Sequence, residues 1–487
     1  MIKFIDNFYP VTKYFKLEEP NNTKAEGILD CVNKAFSDFG MQDYHKKLIG
    51  YCSDGASVMQ GSKKGVIKLL KDTKNAHWVL SVWCLAHRLE LAVKDCFKGT
   101  YMDDVIDILK LIYYFYKGSS KRNKEAQEIA DIVEEEFLKP EQVNGTRWVD
   151  HKLRAASKLL RNWPVIVLHM QNYAENVTNR DSDRAKAKGI IKKLLQYKLI
   201  WFLHLLKDLL NDLATVSLTF QREDINVSSA VTKLQASELS LKHLHDNQSQ
   251  SLDEFYDKIH HDVDTNRYIY KGHTLHNFIP DETLVRQKNQ IVQRMLDCLH
   301  ARYENLTEDQ NFLVCNAFDH KNWPDNDNSA LLQYGVDDVK HVFNHFQPVL
   351  ENANCDLNGA VREFTELKLH VTRTPQKYRS VHPLAVWQCI SQEDVNKGDF
   401  VNILKIIHLT SVYPLSNACC ERSFSALKRV KNDWRCRLST ETLDQLLRIV
   451  LSGPSLDNFN ARPIVNRWWI SGQRKKRPTV LPYGPRH

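Results

Sequence analysis

Glycine and proline are scarce, with 17 and 15 in 487 residues, against usual shares of about 7% and 5%. A chain so poor in breakers is expected to be rich in helix, and an all-β sandwich, which needs frequent turns, is disfavoured. The eleven cysteines contain no Cys-x-x-Cys pair and are odd in number. Several sit inside apolar runs (Cys31, Cys52, Cys84, Cys389). They are expected to be buried thiols in a reducing compartment, not a disulfide framework. Long hydrophobic runs are lacking too. The greasiest, Leu199 to Leu206, is interrupted by His204, stops at Lys207 and is too short to span a bilayer. The opening Met1-Ile-Lys-Phe-Ile-Asp-Asn lacks the apolar stretch of a signal peptide. The expectation is a soluble, intracellular protein with no membrane partner.

What is present suits a folded chain with a sizeable core: 43% of residues are hydrophobic and 26% charged. Disorder throughout is excluded. At about 150 residues per domain the length allows about three domains. The net charge of +8 is compatible with a polyanionic partner without demonstrating one.

The first hundred residues alternate strand and helix signals. Ile2 to Tyr9 and Val11 to Leu17 are β-rich runs, with Pro10 between them as the expected hairpin turn. Ile28, Val32 and Phe36 mark an amphipathic helix opened by Asn22/Thr23 and closed near Gly40. Leu48 to Cys52 and Trp78 to Cys84 read as strands, and His87 to Phe97 as helix. That rhythm belongs to an α/β sheet domain. From about Tyr101 to Thr374 the periodicity is helical, with almost no strand signal and Leu194 to Phe220 as its most apolar segment. No fixed-period repeat is visible. Near the C-terminus, Ser416/Asn417 and Ser439 are expected to cap two helices. The second presents Leu443, Leu446, Leu447, Val450 and Leu451 as one apolar stripe, ended by Gly453-Pro454. The tail after Trp469 is basic.

Six places carry possible chemistry, and the first five have a plainer reading beside them. Asp54 stands where a strand hands over to a helix. It is either an N-cap carboxylate or a metal ligand at a sheet's C-terminal edge. In Cys84-Leu-Ala-His87 the Cys and His are one turn apart, but a structural zinc needs four ligands and no second pair follows. Arg147-Trp148 suits core packing or stacking on an unpaired base, and both remain open. Glu421 opens a helix, where the macrodipole alone favours an acid. Arg422, Lys428, Arg429, Lys431, Arg435 and Arg437 form a basic run that is either a solvated face or a phosphate contact. Arg474-Lys-Lys-Arg-Pro478 is a weak nuclear-import or nucleic-acid signal.

Ser53-Asp-Gly-Ala-Ser-Val-Met59, Cys84-Leu-Ala-His-Arg-Leu-Glu-Leu91, Thr146-Arg-Trp148, Pro414-Leu-Ser-Asn-Ala-Cys-Cys-Glu-Arg-Ser-Phe-Ser425 and Arg437-Leu-Ser439 occur in this order. The series resembles a transposase of the hAT superfamily (hobo and Activator elements), of the kind found as domesticated host proteins. It covers almost the whole chain and is densest in the C-terminal dimerisation region. The resemblance implies an α/β plus all-α architecture: a ribonuclease H-like domain split by a large helical insertion. The implied boundaries are 1–98 for the front of that domain and 99–377 for the insertion. Residues 378–455 complete the domain and dimerise, and 456–487 form a basic tail.

The resemblance also implies roles. Asp54 matches the second and Glu421 the third of three carboxylates that hold two divalent metals for strand cleavage and transfer. His87 matches a histidine near the scissile phosphate, and Trp148 a residue supporting an unpaired base. Arg147, Arg422, Lys428, Arg429 and Lys431 are the expected nucleic-acid contacts. Leu443, Leu446, Leu447 and Val450 are the expected dimer contacts. The family's first Asp has no counterpart: Asp6 aligns one strand late, and the first strand and a BED-type zinc finger are expected to be missing. The leading expectation is therefore a nuclear, transposase-derived protein that dimerises, binds DNA and does not cleave it, with no cofactor. The alternatives are an active transposase using Mg²⁺ on Asp54 and Glu421, and a protein–protein scaffold without DNA.

Overall fold

A computed structural model describes residues 1–143, 148–247, 249–324 and 328–471. Among the described residues the protein is mostly helical with three small sheets. It divides into two compact units: Lys3–Val11 with Pro20–Glu421, and Met1–Ile2 with Thr12–Glu19 and Arg422–His487. The boundary falls inside helix Ala418–Val430.

In the larger unit, strands Gly50–Ser53 and Leu80–Trp83 run parallel, with Cys52 beside Val82 and Ser53 beside Trp83. Strands Ile2–Asp6 and Tyr9–Lys13 make a separate two-stranded sheet. Its turn is at Asn7 and Phe8, both with positive φ (47° and 61°), the twist that suits a two-residue hairpin. Pro10 thus lies within the second strand, not in the turn as expected. No strand among the described residues joins the two ladders.

The helical segment is built on periodicity. Helix Tyr197–Phe220 buries 16 side chains, from Tyr197 and Leu199 through Trp201, Phe202 and Leu213 to Phe220, and packs against helices Trp148–Glu175, Val227–Asp246 and Gln250–Lys258. Helix Asp281–Glu308 starts with acids at Asp281 and Glu282, where the macrodipole favours them. Its buried residues Leu284, Ile291, Met295, Leu299 and Tyr303 fall on one face. That face lies along helix Leu85–Phe97. Tyr303 Oη donates to the Leu85 carbonyl at 2.7 Å, and Arg88 Nη1 to the Arg302 carbonyl at 3.0 Å. A single core therefore runs from Leu80 through the helices to Leu415, so the strand segment and the helical segment stabilise each other.

One feature corrects the expected absence of strands here. Ile259–Asp262, Arg267–Tyr270 and His273–Leu275 form an antiparallel meander. Of these strand residues Tyr270 and Leu275 alone are buried, and the polar His260-His261-Asp262 run hides the β pattern. Two buried lysines were also illegible. Lys288 donates to the Leu244 and Asn247 carbonyls, 2.7 Å each, at the end of helix Val227–Asp246. Lys368 donates to the Leu332 and Tyr334 carbonyls at 3.0 and 2.7 Å. Each supplies donors to carbonyls left over at a helix end. No described helix is long and apolar enough to cross a membrane.

The smaller unit has its own core of Tyr14, Ala426, Val430, Leu443 and Leu447. Ser439 caps helix Thr440–Ser452 by accepting the Thr442 N–H at 3.2 Å, and Gly453 ends it. Asp444, on the same helix, accepts from Tyr14 Oη at 2.6 Å and Leu17 N at 2.7 Å. Leu443 and Leu447 are thus consumed inside the chain, contrary to their expected place in a dimer contact. Leu446 is partly buried against the same core. Of that stripe Val450 is exposed, as are Ile449 next to it and Phe424 on helix Ala418–Val430.

Candidate functional site

Three chain segments far apart in sequence meet at the C-terminal end of the parallel pair. The first is the end of strand Gly50–Ser53. Its Asp54 is exposed, and Oδ1 accepts only a long bond from the Ala56 N–H, at 3.3 Å. The short helix Ser57–Gln60 takes no side-chain cap, so Asp54 closes a local turn and is not the N-cap expected from sequence. Gln60 ties that turn to the neighbouring strand, donating to Ser53 Oγ at 2.8 Å and the Val82 carbonyl at 3.1 Å. Gly55 has no alternative: a Cβ there would stand 2.3 Å from the Trp83 ring.

The second segment is the start of helix Leu85–Phe97, and the third is the start of helix Ala418–Val430. Cys84, at the N-cap of the first, joins them. Its sulfur accepts the Asn417 N–H at 3.4 Å and lies 3.9 Å from Ser416 Oγ. The Leu85 N–H donates to the Leu415 carbonyl at 3.1 Å. The Cys52 thiol donates to Cys84, which also accepts the His87 N–H. Together these donors hold the Cys84 thiol down, at about 6, against the upward push of burial. The Cys52 thiol is correspondingly pushed well up by its bond to Cys84 and by burial. Sulfur at the N-termini of two helices has the electropositive setting that stabilises a thiolate. Tyr51 completes the junction. Burial pushes its phenol up, and Cys420, Cys52 and Asp54, all close by, act in the same direction. Asp54, His87 and Glu421 therefore belong to one neighbourhood.

The setting beyond these residues is cationic and aromatic. The Arg88 and Arg302 guanidinium carbons lie 5.3 and 5.2 Å from the Trp83 ring centre, and Arg302 pairs with Asp95. Lys3 reaches the Tyr413 carbonyl at 3.4 Å. Burial lowers its ammonium to about 8, partly offset by Cys419, Asp224 and Cys52. One turn beyond His87, Glu90 is 6% exposed. Its Oε1 accepts the Val149 N–H at 3.0 Å, at the start of helix Trp148–Glu175, while Oε2 has no partner among the described residues. Burial raises this carboxyl to about 7, with Lys152 and the Val149 N–H opposing.

Asp6 ends strand Ile2–Asp6 at the turn, in the sheet that does not contain Gly50–Ser53. No group of three or more His, Cys, Asp or Glu among the described residues is arranged to hold a metal ion. The donors nearest the junction are mostly thiols, whereas Mg²⁺ requires hard oxygen ligands in near-octahedral geometry.

The expected nucleic-acid residues are only partly brought together. Arg147 and the Trp148 side chain lie outside the described residues, as does the basic motif 474–478. Lys428, Arg429 and Lys431 are exposed at the end of helix Ala418–Val430 and just beyond it, and Arg422 is half-buried on the same helix. Sequence reasoning missed the Cys52–Cys84 pair, the Trp83 cation cluster and Glu90. For the thiols, strand register supplies the missing signal: Cys52 and Cys84 share a face only once Cys52 is set beside Val82. The chain matches no known protein-family model.

Proposed function

We propose that this chain is a hAT transposase-derived protein with a ribonuclease H-like α/β part interrupted by a helical insertion. It acts in the nucleus through self-association and DNA binding, and does not cleave DNA. The observation that carries the reading is the junction. Asp54, the Cys84–His87 helix start and the helix start bearing Glu421 come together across the whole helical segment, as a split domain of this kind requires. The family's chemistry needs metal ions clamped by shared carboxylates. Asp6, the remaining candidate for a third one, belongs to another ladder. Binding is expected to come from phosphate contacts by Arg422, Lys428, Arg429 and Lys431, with little sequence preference. Self-association would use Val450, Ile449 and Phe424, not Leu443 and Leu447.

The test combines sedimentation velocity with DNA-binding titrations at two salt concentrations. A species heavier than the monomer and a steep loss of affinity with salt are expected. A monomer that ignores DNA at low salt would defeat the reading. An active enzyme is the second reading, favoured by the exposure of Asp54 at the end of its strand.

A further inference from the structure

The segment between the last two helices of the smaller unit's core is open to solvent. Every residue from 431 to 437 is exposed, and Trp434 at its centre is 94% exposed. The segment is nevertheless built. Val430 is buried at one end and Leu438 packs on the same core at the other. Asn432 Oδ1 accepts the Trp434 N–H at 3.1 Å, and the Asn432 carbonyl accepts the Arg435 N–H at 2.9 Å. These bonds close the 3₁₀ turn Asp433–Arg435. Ser439 then caps the following helix. A tryptophan held at the tip of a capped turn has both indole faces open, which is unusual for so large an apolar side chain.

Around it five of the six charged residues from 428 to 437 are basic. Lys428, Arg429, Lys431, Arg435 and Arg437 are exposed, and among the described residues none forms an ion pair with a carboxylate. Asp433 is the only acid from 428 to 437. An open indole ringed by uncompensated cations complements an unpaired nucleic-acid strand. An aromatic face takes a base of any identity by stacking, and the cations take the phosphates. A duplex hides its base faces and offers only the phosphates.

We propose that the turn bearing Trp434 is a contact for single-stranded nucleic acid, with a base stacked on the Trp434 indole and phosphates held by Lys431, Arg435 and Arg437. This inference rests on the nucleic-acid reading above and adds the strandedness of the ligand and the residue that reads it.

The experiment titrates the full chain against a labelled single strand of about 16 nucleotides and against the matching duplex, by fluorescence anisotropy at several salt concentrations. Trp434→Ala, Trp434→Phe and Arg435→Gln/Arg437→Gln are compared with the parent. Loss of one stacking contact corresponds to on the order of 10-fold in affinity. Trp434→Ala should weaken single-strand binding by about that factor, leave duplex binding within about twofold and keep the salt slope. Trp434→Phe should restore most of the loss. The double Gln variant should flatten the salt slope for both ligands. If the duplex binds and Trp434→Ala does not change single-strand affinity, this inference fails and the broader reading stands. If neither ligand binds, both fail. A Trp434-dependent blue shift of emission that grows with protein concentration, without DNA, would mean that a second copy covers the indole, and would also overturn it.

Discussion

Replacing Glu90 by glutamine should stabilise the protein above neutral pH and do little in mild acid. Glu90 is buried on helix Leu85–Phe97, with one oxygen on the Val149 N–H and the other without a partner among the described residues. Burial lifts its carboxyl from the ordinary 4.5 to about 7. Between those values the folded state holds a proton that the unfolded state has released. Stability therefore falls as pH rises from about 4.5 to about 7, and is level above that. At about 1.4 kcal/mol for each pH unit of the interval, the charged form costs about 3 kcal/mol at pH 8 and less than about 1 kcal/mol at pH 5. Glutamine keeps an oxygen for Val149 and never ionises, so it should recover most of that cost. The assay is urea unfolding at both pH values, followed by a probe on the larger unit. A Glu90→Gln variant less stable than the parent at pH 8 would refute the reasoning. It would mean that Lys152 holds Glu90 ionised to the protein's benefit.

Three further outcomes follow from the same geometry. Leu447→Ala should cost the smaller unit about 2–4 kcal/mol, as for other buried leucines, whereas Ile449→Ser with Val450→Ser should spare the fold and shift sedimentation toward monomer. An unchanged mass in the second variant would remove those residues from the interface. Thiolate absorbance near 240 nm should titrate with a midpoint of about 6 and vanish in Cys84→Ser. Because this thiol lies below its ordinary value of 9, its stabilisation is complete above about pH 9 and lost as pH falls through 6. Lys368→Met should cost roughly 2–4 kcal/mol in urea unfolding, by leaving the Leu332 and Tyr334 carbonyls without their donor. A neutral result would mean that water replaces the ammonium.

Elements carried by local pattern were legible before the structure. Helix Tyr197–Phe220 announces itself by apolar density, helix Thr440–Ser452 by Ser439 and Gly453, and the parallel strands by short apolar runs. What depends on partners distant in sequence was not. The stripe on helix Thr440–Ser452 has the period of a contact face, but period cannot say whether Tyr14 or another molecule covers it. The meander at 259–275 is hidden because its strands are only three or four residues long and the first, Ile259–Asp262, is mostly polar. The hairpin turn was misplaced because proline is a strong turn signal, whereas Asn7-Phe8 is a weak one. Of the candidate site, residue types and order were visible in the motifs. The Cys84 cradle was not, since its donors come from positions 52, 87, 416 and 417.

The most direct test of the central claim incubates the chain and its Asp54→Ala variant with Mn²⁺ and a DNA whose ends can form a hairpin. Binding and nicking are read on the same samples. The account predicts that both proteins shift the DNA equally and that neither nicks it. Metal-dependent nicking by the parent chain, abolished by Asp54→Ala, would contradict it.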